Sequence, residues 1–180
     1  MLEVELKVKV PSLESVRKLL LEKGAACSGR IHEHDIYYNA PHRDVGITDE
    51  AVRVRYTNDH ALVTYKGAKI KKVGLKAREE LNTAVESGEV FETMLDRLGF
   101  TKTTEVNKWR ENYRYSDAAI CLDEVDELGT FVEIEIMTVD ENSHATVVIQ
   151  RIAKEIGVSG EPILASYLEL LLSKRSAVQS

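Results

Sequence analysis

The first ten residues alternate between apolar and charged side chains. On a strand, successive side chains point to opposite faces. The predicted strand at residues 3–10 therefore has one apolar face, Leu2, Val4, Leu6, Val8 and Val10, and one charged face, Glu3, Glu5, Lys7 and Lys9. One face is expected to pack in a core. A half-solvated strand would explain the charged face if the pattern occurred only once.

The same alternation recurs in later predicted strands, and each of those strands carries charge of mainly one sign. The alternating charged residues are Arg53, Arg55, Lys108, Arg110, Arg114, Glu133 and Glu135. Converging faces of one sign would repel each other, and buried unpaired charges are costly. The pattern therefore predicts a guest between the faces. A divalent cation bound to a polyphosphate fits, with carboxylates on the metal and Lys and Arg on the phosphate oxygens.

Composition narrows the class of protein. A chain of 180 residues is expected to form one domain with a substantial core. Its net charge of −6 argues against nucleic acid as a partner but allows a local basic cavity. Cys27 and Cys121 are too few to predict a disulfide framework or a zinc site. The sequence predicts neither a signal peptide nor a membrane span, so a cytoplasmic protein with no membrane partner is expected.

The order of predicted elements indicates the fold class. A strand, a helix ending in glycine and then several strands occur in residues 2–66 and again in residues 76–139. Helices are predicted from Ser12 to Gly24, from Ser87 to Gly99, from Asn142 or Ser143 to Ile156, and from Pro162 to Leu172. We expect one α+β domain spanning 1–180, a closed antiparallel β-barrel with helices packed outside. Two interleaved halves, roughly 1–75 and 76–180, would form it.

Two predicted loops are placed to close over a site, although the sequence does not decide whether they do. The loop at 39–49 contains Pro41 and Gly46 and has the character of a lid. The loop at 67–74 is basic, and it either meets solvent or shields incoming phosphates. Solvent exposure is the simpler expectation for its lysines, which are Lys69, Lys71 and Lys72.

These residues resemble the CYTH superfamily, the triphosphate tunnel metalloenzymes. Glu3, Glu5 and Lys7 match its E-x-E-x-K signature, and further motifs follow in family order along nearly the whole chain. They lie at residues 35–37, 53–55, 64–67, 78–80, 108–110, 122–125, 129–135 and 166–170. Within the superfamily the sequence is most similar to the class IV adenylyl cyclase branch.

The resemblance implies a closed tunnel of about eight strands that holds a triphosphate with Mg²⁺ or Mn²⁺. By resemblance, the metal ligands are Glu3, Glu5, Glu133 and Glu135, supported by Asp123. The implied phosphate contacts are Lys7, Arg53, Arg55, Lys66, Lys76, Arg78, Lys108, Arg110 and Arg114, of which Lys76 and Arg114 depend most on strand register. The implied catalytic residues are Glu5, Lys7, Arg55, Lys108, Arg110 and Glu135.

Three functions remain open at this stage. In a cyclase, the ribose 3′-hydroxyl of ATP attacks the α-phosphate and pyrophosphate leaves. In an inorganic or nucleoside triphosphatase, water attacks the terminal phosphate. A non-catalytic protein would only bind a polyphosphate or nucleotide. The partner is in each case a small-molecule triphosphate, ATP or inorganic triphosphate, and the resemblance also suggests a homodimer.

Overall fold

The computed structural model describes residues 2–58, 60–72, 75–139 and 144–178, which form one antiparallel sheet with helices against it. The strands of this part of the chain are β1 (Leu2–Lys9), β2 (Ala26–Asn39), β3 (Ala51–Thr57), β4 (His60–Lys66), β5 (Ile70–Lys72), β6 (Leu75–Val85), β7 (Thr101–Tyr115), β8 (Ala118–Val125) and β9 (Gly129–Thr138). Its helices are α1 (Glu14–Glu22), α2 (Gly88–Arg97), α3 (Ala145–Glu155) and α4 (Tyr167–Val178).

Eight of these strands close into a barrel. Their order is β1-β9-β8-β7-β2-β3-β4-β6, and β6 pairs back with β1 through Glu3 and Arg78. The short strand β5 pairs with β6 at Ala77, which also pairs with Val4 of β1, so β5 continues the edge occupied by β4. The predicted closed antiparallel barrel with external helices is confirmed. Closure leaves no exposed sheet edge along most of its circumference.

The barrel carries its charged side chains inside and much of its apolar core outside. Strand β1 is buried on both faces. Val4 and Val8 pack under α1 and α3 in a cluster that includes Leu20, Ile149 and Ile152. A second external cluster joins α2 to the outer faces of β2 and β3. The charged face of β1 therefore points into the barrel, where solvent is largely excluded.

Helix α4 begins later than the sequence predicted. The prediction placed its start at Pro162, but the helix starts at Tyr167. Ser166 and Glu169 form a capping box, in which the Glu169 N–H donates to Ser166 Oγ at 3.2 Å and Glu169 Oε2 accepts from the Ser166 N–H at 2.7 Å. The preceding segment lies along β1 instead, with the Ile163 N–H donating to the Lys7 carbonyl at 2.8 Å.

Packing of α4 covers one end of the barrel. Its residues Tyr167 and Leu171 contact inward-facing residues at the strand ends, among them Val106, Val125 and Phe131. The other helices lie on the barrel wall, so α4 alone among the described helices borders the interior. No helix in the described ranges is both long and apolar enough to cross a membrane.

Three predicted helix boundaries are confirmed. Ser87 caps α2 by accepting a hydrogen bond from the Val90 N–H at 3.2 Å. Gly24 and Gly99 follow α1 and α2 with φ of 74° and 87°, a left-handed conformation that favours glycine. The predicted start of α3 at Asn142 or Ser143 lies outside the described residues.

The apolar layer between α1 and the barrel should supply much of the stability. Replacing the fully buried Leu20 by Ala should lower the free energy of unfolding by about 2–5 kcal/mol, because it removes packed methyl groups and leaves a cavity. Leu21 is 55% exposed, and Leu21→Ala is the matched control, expected to change stability by about 0.5 kcal/mol or less. Urea unfolding measures both, and equal effects would contradict the packing described here.

Candidate functional site

The barrel interior encloses a cavity of about 280 Å³, near the lower end of the usual range for ligand sites. Most of its wall is charged. The wall consists of Glu3, Glu5, Lys7, Asp35, Arg53, Arg55, Lys66, Arg78, Glu80, Lys108, Arg110, Glu133 and Glu135. Tyr37, Ala51, the loop before β3 (Gly46, Asp49, Glu50) and α4 (Ser166 to Glu169, Leu172) complete the lining. Gly46 and Leu172 are solvent-exposed, so the cavity reaches the surface between that loop and α4.

All but three of the predicted site residues line this cavity. Asp123 is fully buried behind Arg110. Arg114 follows Arg110 on the same strand face but is exposed near the end of β7, so the structure does not bring it to the cavity. The side chain of Lys76 lies outside the described part of the structure.

Three carboxylates meet on one side of the cavity. Glu3, Glu5 and Glu135 each offer one oxygen, and these oxygens lie within 4.8 Å of one another. Glu5 and Glu135 are direct partners across the β1–β9 pair. Burial raises the pKa of Glu135 to about 7; the positive charge of Arg110 lowers it, whereas the negative charges of Glu133 and Glu5 raise it further. A cation bound here would relieve this repulsion.

This cluster fits Mg²⁺ or Mn²⁺. Both ions prefer oxygen ligands, and Mg²⁺ commonly takes only a few carboxylates while keeping some of its waters. Glu3 Oε1 is buried and accepts no hydrogen bond from any described residue, which leaves it available to a metal. The family resemblance implies such an ion, and Glu3, Glu5 and Glu135 are the residues that would hold it.

Glu133 and Asp123, the other predicted metal ligands, lie beside cations. Arg110 donates two hydrogen bonds to Asp123, at 2.7 and 2.5 Å, and a short one to Glu133. Glu133 also lies 3.1 Å from Lys7 Nζ. This arrangement fixes the plane of the Arg110 guanidinium group and directs it into the cavity.

A cationic wall faces the cavity from β3 and β7, which flank β2, and it consists of Arg53, Arg55, Lys108 and Arg110. Two acids of β2 lie among these cations. Asp35 accepts two hydrogen bonds from Arg55, at 2.6 and 2.7 Å. Glu33 Oε2 lies 2.7 Å from Lys108 Nζ and 2.8 Å from the Arg55 guanidinium group.

Both acids are ionised in this setting. Burial opposes ionisation of Glu33, but the charges of Lys108, Arg110 and Arg55 lower its pKa to about 2. Asp35 is likewise buried, and Arg53 and Arg55 hold its pKa well below its usual value. Sequence reasoning did not assign a site role to either acid. Their placement at alternate positions of β2 was the available signal, because it puts both on one strand face.

Arg53 shows where an anion would be stabilised. Its guanidinium group donates to Thr64 Oγ1 at 3.1 Å and to Asp35 at 3.3 Å. The Arg53 side chain is 8% exposed, yet its Nε–H finds no acceptor among the described residues. A buried N–H without a partner is unfavourable, and a phosphate oxygen in the cavity would satisfy it.

Lys66 connects the cationic and acidic sides. Its Nζ lies 3.3 Å from Glu3 and 2.5 Å from Glu80. Asn82 also donates to Glu80 at 2.9 Å. Lys66 therefore partly neutralises the edge of the acidic cluster, and burial still raises the pKa of Glu3 well above its usual value.

Arg78 and Lys69 organise the loops at the cavity opening. Arg78 lines the cavity, but its guanidinium group donates to the carbonyl oxygens of Gly67, at 2.8 Å, and Asp49, at 2.9 Å. The expectation that Lys69 is solvated is wrong, because its Nζ lies 2.9 Å from Asp49 and 2.6 Å from Glu169 of α4. The side chains of Lys71 and Lys72 lie outside the described part of the structure. Lys69 thus ties the ends of both predicted loops to α4.

Tyr167 closes the interior beneath α4. Its hydroxyl donates to Asp123 at 2.8 Å, and its ring centroid lies 4.4 Å from Lys7 Nζ. The ring also meets Phe131 edge-on, with centroids 5.1 Å apart. Sequence reasoning assigned no site role to Tyr167. The capping box at Ser166 and Glu169 was the signal that places it at the start of a helix.

Comparison with known proteins agrees with this geometry. The family model of the CYTH domain matches residues 1–167. A Methanocaldococcus jannaschii protein, provisionally named an adenylate cyclase, is 36% identical over 173 residues, covering 94% of this chain and 98% of that protein.

Solved structures show the same fold. A Pyrococcus horikoshii protein superimposes with a TM-score of 0.84 at 36% identity, covering 96% of this chain and 99% of that one. A Hippeastrum protein has a TM-score of 0.70 at 19% identity, covering 96% of each chain. That protein is provisionally named an adenylyl cyclase and is described as having a dominant triphosphatase activity.

The ion pairs of Glu33 predict a specific loss of stability in acid. Because its pKa is lowered in the folded state, Glu33 stabilises the protein above about pH 4.5, and this contribution disappears as the pH falls towards 2. Glu33→Gln should therefore be less stable than the wild type at pH 7, on the order of 2 to 3 kcal/mol, with the difference closing between pH 4.5 and 2.

Urea unfolding across this pH range measures that difference. Glu124→Gln is the control, because it also removes one negative charge but from an exposed pair with Arg30 on the outer surface. If the difference in unfolding free energy between wild type and Glu33→Gln did not change with pH, the lowered pKa of Glu33 would be contradicted.

Proposed function

The chain belongs to the CYTH family, and on that premise we propose that it converts ATP into 3′,5′-cyclic AMP and pyrophosphate with Mg²⁺ or Mn²⁺. Proteins of this family act on nucleotide or inorganic triphosphates and depend on divalent metals. One observation carries the proposal: a cluster of three carboxylates and a wall of four cations border the same buried cavity. The name of the Methanocaldococcus jannaschii relative supports the choice of a cyclase.

The cationic wall binds the triphosphate in this proposal. Arg53 offers an Nε–H that has no acceptor among the described residues, Arg55 adds positive charge from the same strand, and Lys108 adds it from β7. Arg110 approaches with its guanidinium plane fixed by Asp123, so its donors are already oriented when the substrate arrives. Glu3, Glu5 and Glu135 would hold the metal, which supplies positive charge to the phosphate oxygens when it is bound.

In the proposed reaction the ribose 3′-oxygen forms a bond to the α-phosphorus. The bond from that phosphorus to the oxygen bridging to the β-phosphate breaks, pyrophosphate departs with the electron pair, and the proton of the 3′-hydroxyl passes to solvent water. Negative charge grows on the leaving pyrophosphate. Lys and Arg side chains fixed in a water-poor cavity stabilise that charge without reorganising, which is the main source of catalysis in this chemistry.

Hydrolysis of the terminal phosphate is the second candidate. A cavity of about 280 Å³ with a mainly charged wall suits a bare triphosphate as well as the triphosphate part of a nucleotide. The activity described for the Hippeastrum protein favours this candidate. The same cationic wall would bind the triphosphate in this reaction. Water would then attack the terminal phosphorus, in place of the 3′-oxygen attacking the α-phosphorus.

Product analysis separates the candidates. Purified protein is incubated with ATP, and separately with inorganic triphosphate, in Mg²⁺ or Mn²⁺. Cyclic AMP and pyrophosphate from ATP are the expected products. Orthophosphate from either substrate without cyclic AMP would establish the triphosphatase instead, and tight binding without any product would leave a polyphosphate-binding protein.

Replacing a carboxylate of the cluster should remove metal binding. Glu135→Gln should weaken binding of Mn²⁺ by at least about 100-fold, because losing even a supporting partner of a metal ligand costs 10–100-fold. Titration of Mn²⁺ followed by electron paramagnetic resonance measures this independently of activity. Glu105→Gln is the control, since Glu105 pairs with Lys102 and His34 on the outer face of β7. Unchanged Mn²⁺ affinity in Glu135→Gln would exclude it as a ligand.

A further inference from the structure

Two acids of β2 stand directly beside the cations that face the cavity. Strand β2 lies between β3 and β7, where Asp35 is the cross-strand partner of Arg55 and Glu33 is the partner of Lys108. Strand register therefore places each acid next to a candidate phosphate-binding group. The arrangement is a regular feature of the sheet and does not depend on a loop.

Glu33 acts through these cations because a substrate does not reach it. It is 4% exposed and sits behind the cavity surface, with Lys108, Arg55 and Arg110 around its carboxylate. Asp35 borders the cavity but is engaged by the paired donors of Arg55. Both acids stay ionised at neutral pH, since their pKa values lie below the usual range.

We propose that Glu33 and Asp35 are positioning residues that hold the cationic wall in place and limit its affinity for polyphosphate, so that the product can leave. The inference rests on the proposed function, because it assumes a triphosphate in this cavity. In this proposal the two acids lower the affinity of the cavity for polyphosphate, whereas the cations beside them raise it.

Charge balance supports this role. Among the described residues, three of the wall cations, Arg53, Arg55 and Lys108, form ion pairs only with the two acids Glu33 and Asp35, whereas Arg110 is also paired with Asp123 and Glu133. The positive charge of the wall therefore attracts a polyphosphate but is only partly available. A phosphate oxygen approaching Lys108 shares that ammonium group with Glu33, whose carboxylate is already 2.7 Å away. Removing the charge of Glu33 while keeping its shape therefore strengthens the attraction for any anion in the cavity.

Release of product explains why a limit on affinity is useful. Pyrophosphate carries much of the charge of the substrate and contacts the same cations, so an uncompensated wall would hold product nearly as tightly as substrate. Interactions that are equal in ground and transition states do not accelerate chemistry. In many enzymes product release sets the turnover rate. The two acids weaken the contacts that substrate and pyrophosphate share with the cations, while they keep the N–H donors of Arg55 oriented.

The sign of the effect provides the test. Isothermal titration with pyrophosphate in Mg²⁺, and with inorganic triphosphate in EDTA, compares wild type with Glu33→Gln. We expect binding at least tenfold tighter in Glu33→Gln, which corresponds to about 1.4 kcal/mol. A residue with a merely structural role would give weaker binding, since its loss would disorder the cations.

Two control variants test whether the effect comes from the charge of Glu33 at this site, and not from a change of side-chain shape or from any lost negative charge. Glu33→Asp keeps the charge and should bind pyrophosphate within threefold of the wild type. Glu124→Gln removes the same charge from the outer surface and should leave the affinity unchanged. In steady-state kinetics, kcat and KM should fall together in Glu33→Gln, and inhibition by pyrophosphate should become stronger.

Each outcome decides the matter. Equal or weaker binding by Glu33→Gln, with the wild type binding normally, overturns this inference but leaves the proposed function intact. Absence of binding by the wild type overturns both. Should Glu33→Gln be unstable, thermal unfolding against pyrophosphate concentration gives its affinity by linkage. Rescue at lower concentrations than stabilise the wild type supports the proposal, and failure of pyrophosphate to rescue it overturns the proposal.

Discussion

Buried charge must be neutralised, and this constraint determines how the barrel is built. Charged side chains on one face of β1 and its neighbours would be strongly destabilised in a dry core. The fold puts them inside a closed barrel where opposite charges meet, as between Lys7 and Glu133 or Arg55 and Asp35. The apolar faces then point outward, and α1, α2 and α3 cover them. The position of the helices thus follows from the chemistry of the interior.

Neutralisation is uneven, and the unevenness creates the site. Glu3, Glu5 and Glu135 remain close enough for burial and like charge to raise the pKa of Glu135 to about 7. On the facing side Arg53, Arg55 and Lys108 outnumber Glu33 and Asp35, and Arg53 keeps a buried N–H that has no acceptor among the described residues. A bound cation would stabilise the carboxylate cluster, and a bound anion would stabilise the Arg and Lys side chains opposite it. A metal-bound polyphosphate meets both needs in a single ligand.

Strand alternation made the barrel and most of the site predictable. Side-chain direction has a period of two, so charged residues such as Glu5 and Lys108 could be assigned to the interior from sequence alone. Alternation gives the face of a residue but not its height along the barrel. Arg114 therefore shares the face of Arg110 and yet lies exposed near the strand end. Contacts between distant segments, such as Lys69 with Glu169, leave no periodic signal and could not be predicted.

The same neutralising interior would suit either proposed reaction, because both build negative charge on a phosphate leaving group. What differs is which phosphorus lies beside the nucleophile, and this depends on how far the triphosphate enters. Tyr167 lines the cavity and packs edge-on against Phe131, and the Asp49–Lys69–Glu169 contacts hold the loops where the cavity reaches the surface. If the protein carries out either reaction, we expect the residues at the end of the barrel covered by α4 to decide between cyclisation and hydrolysis, and the charged wall to stabilise the charge that both reactions build.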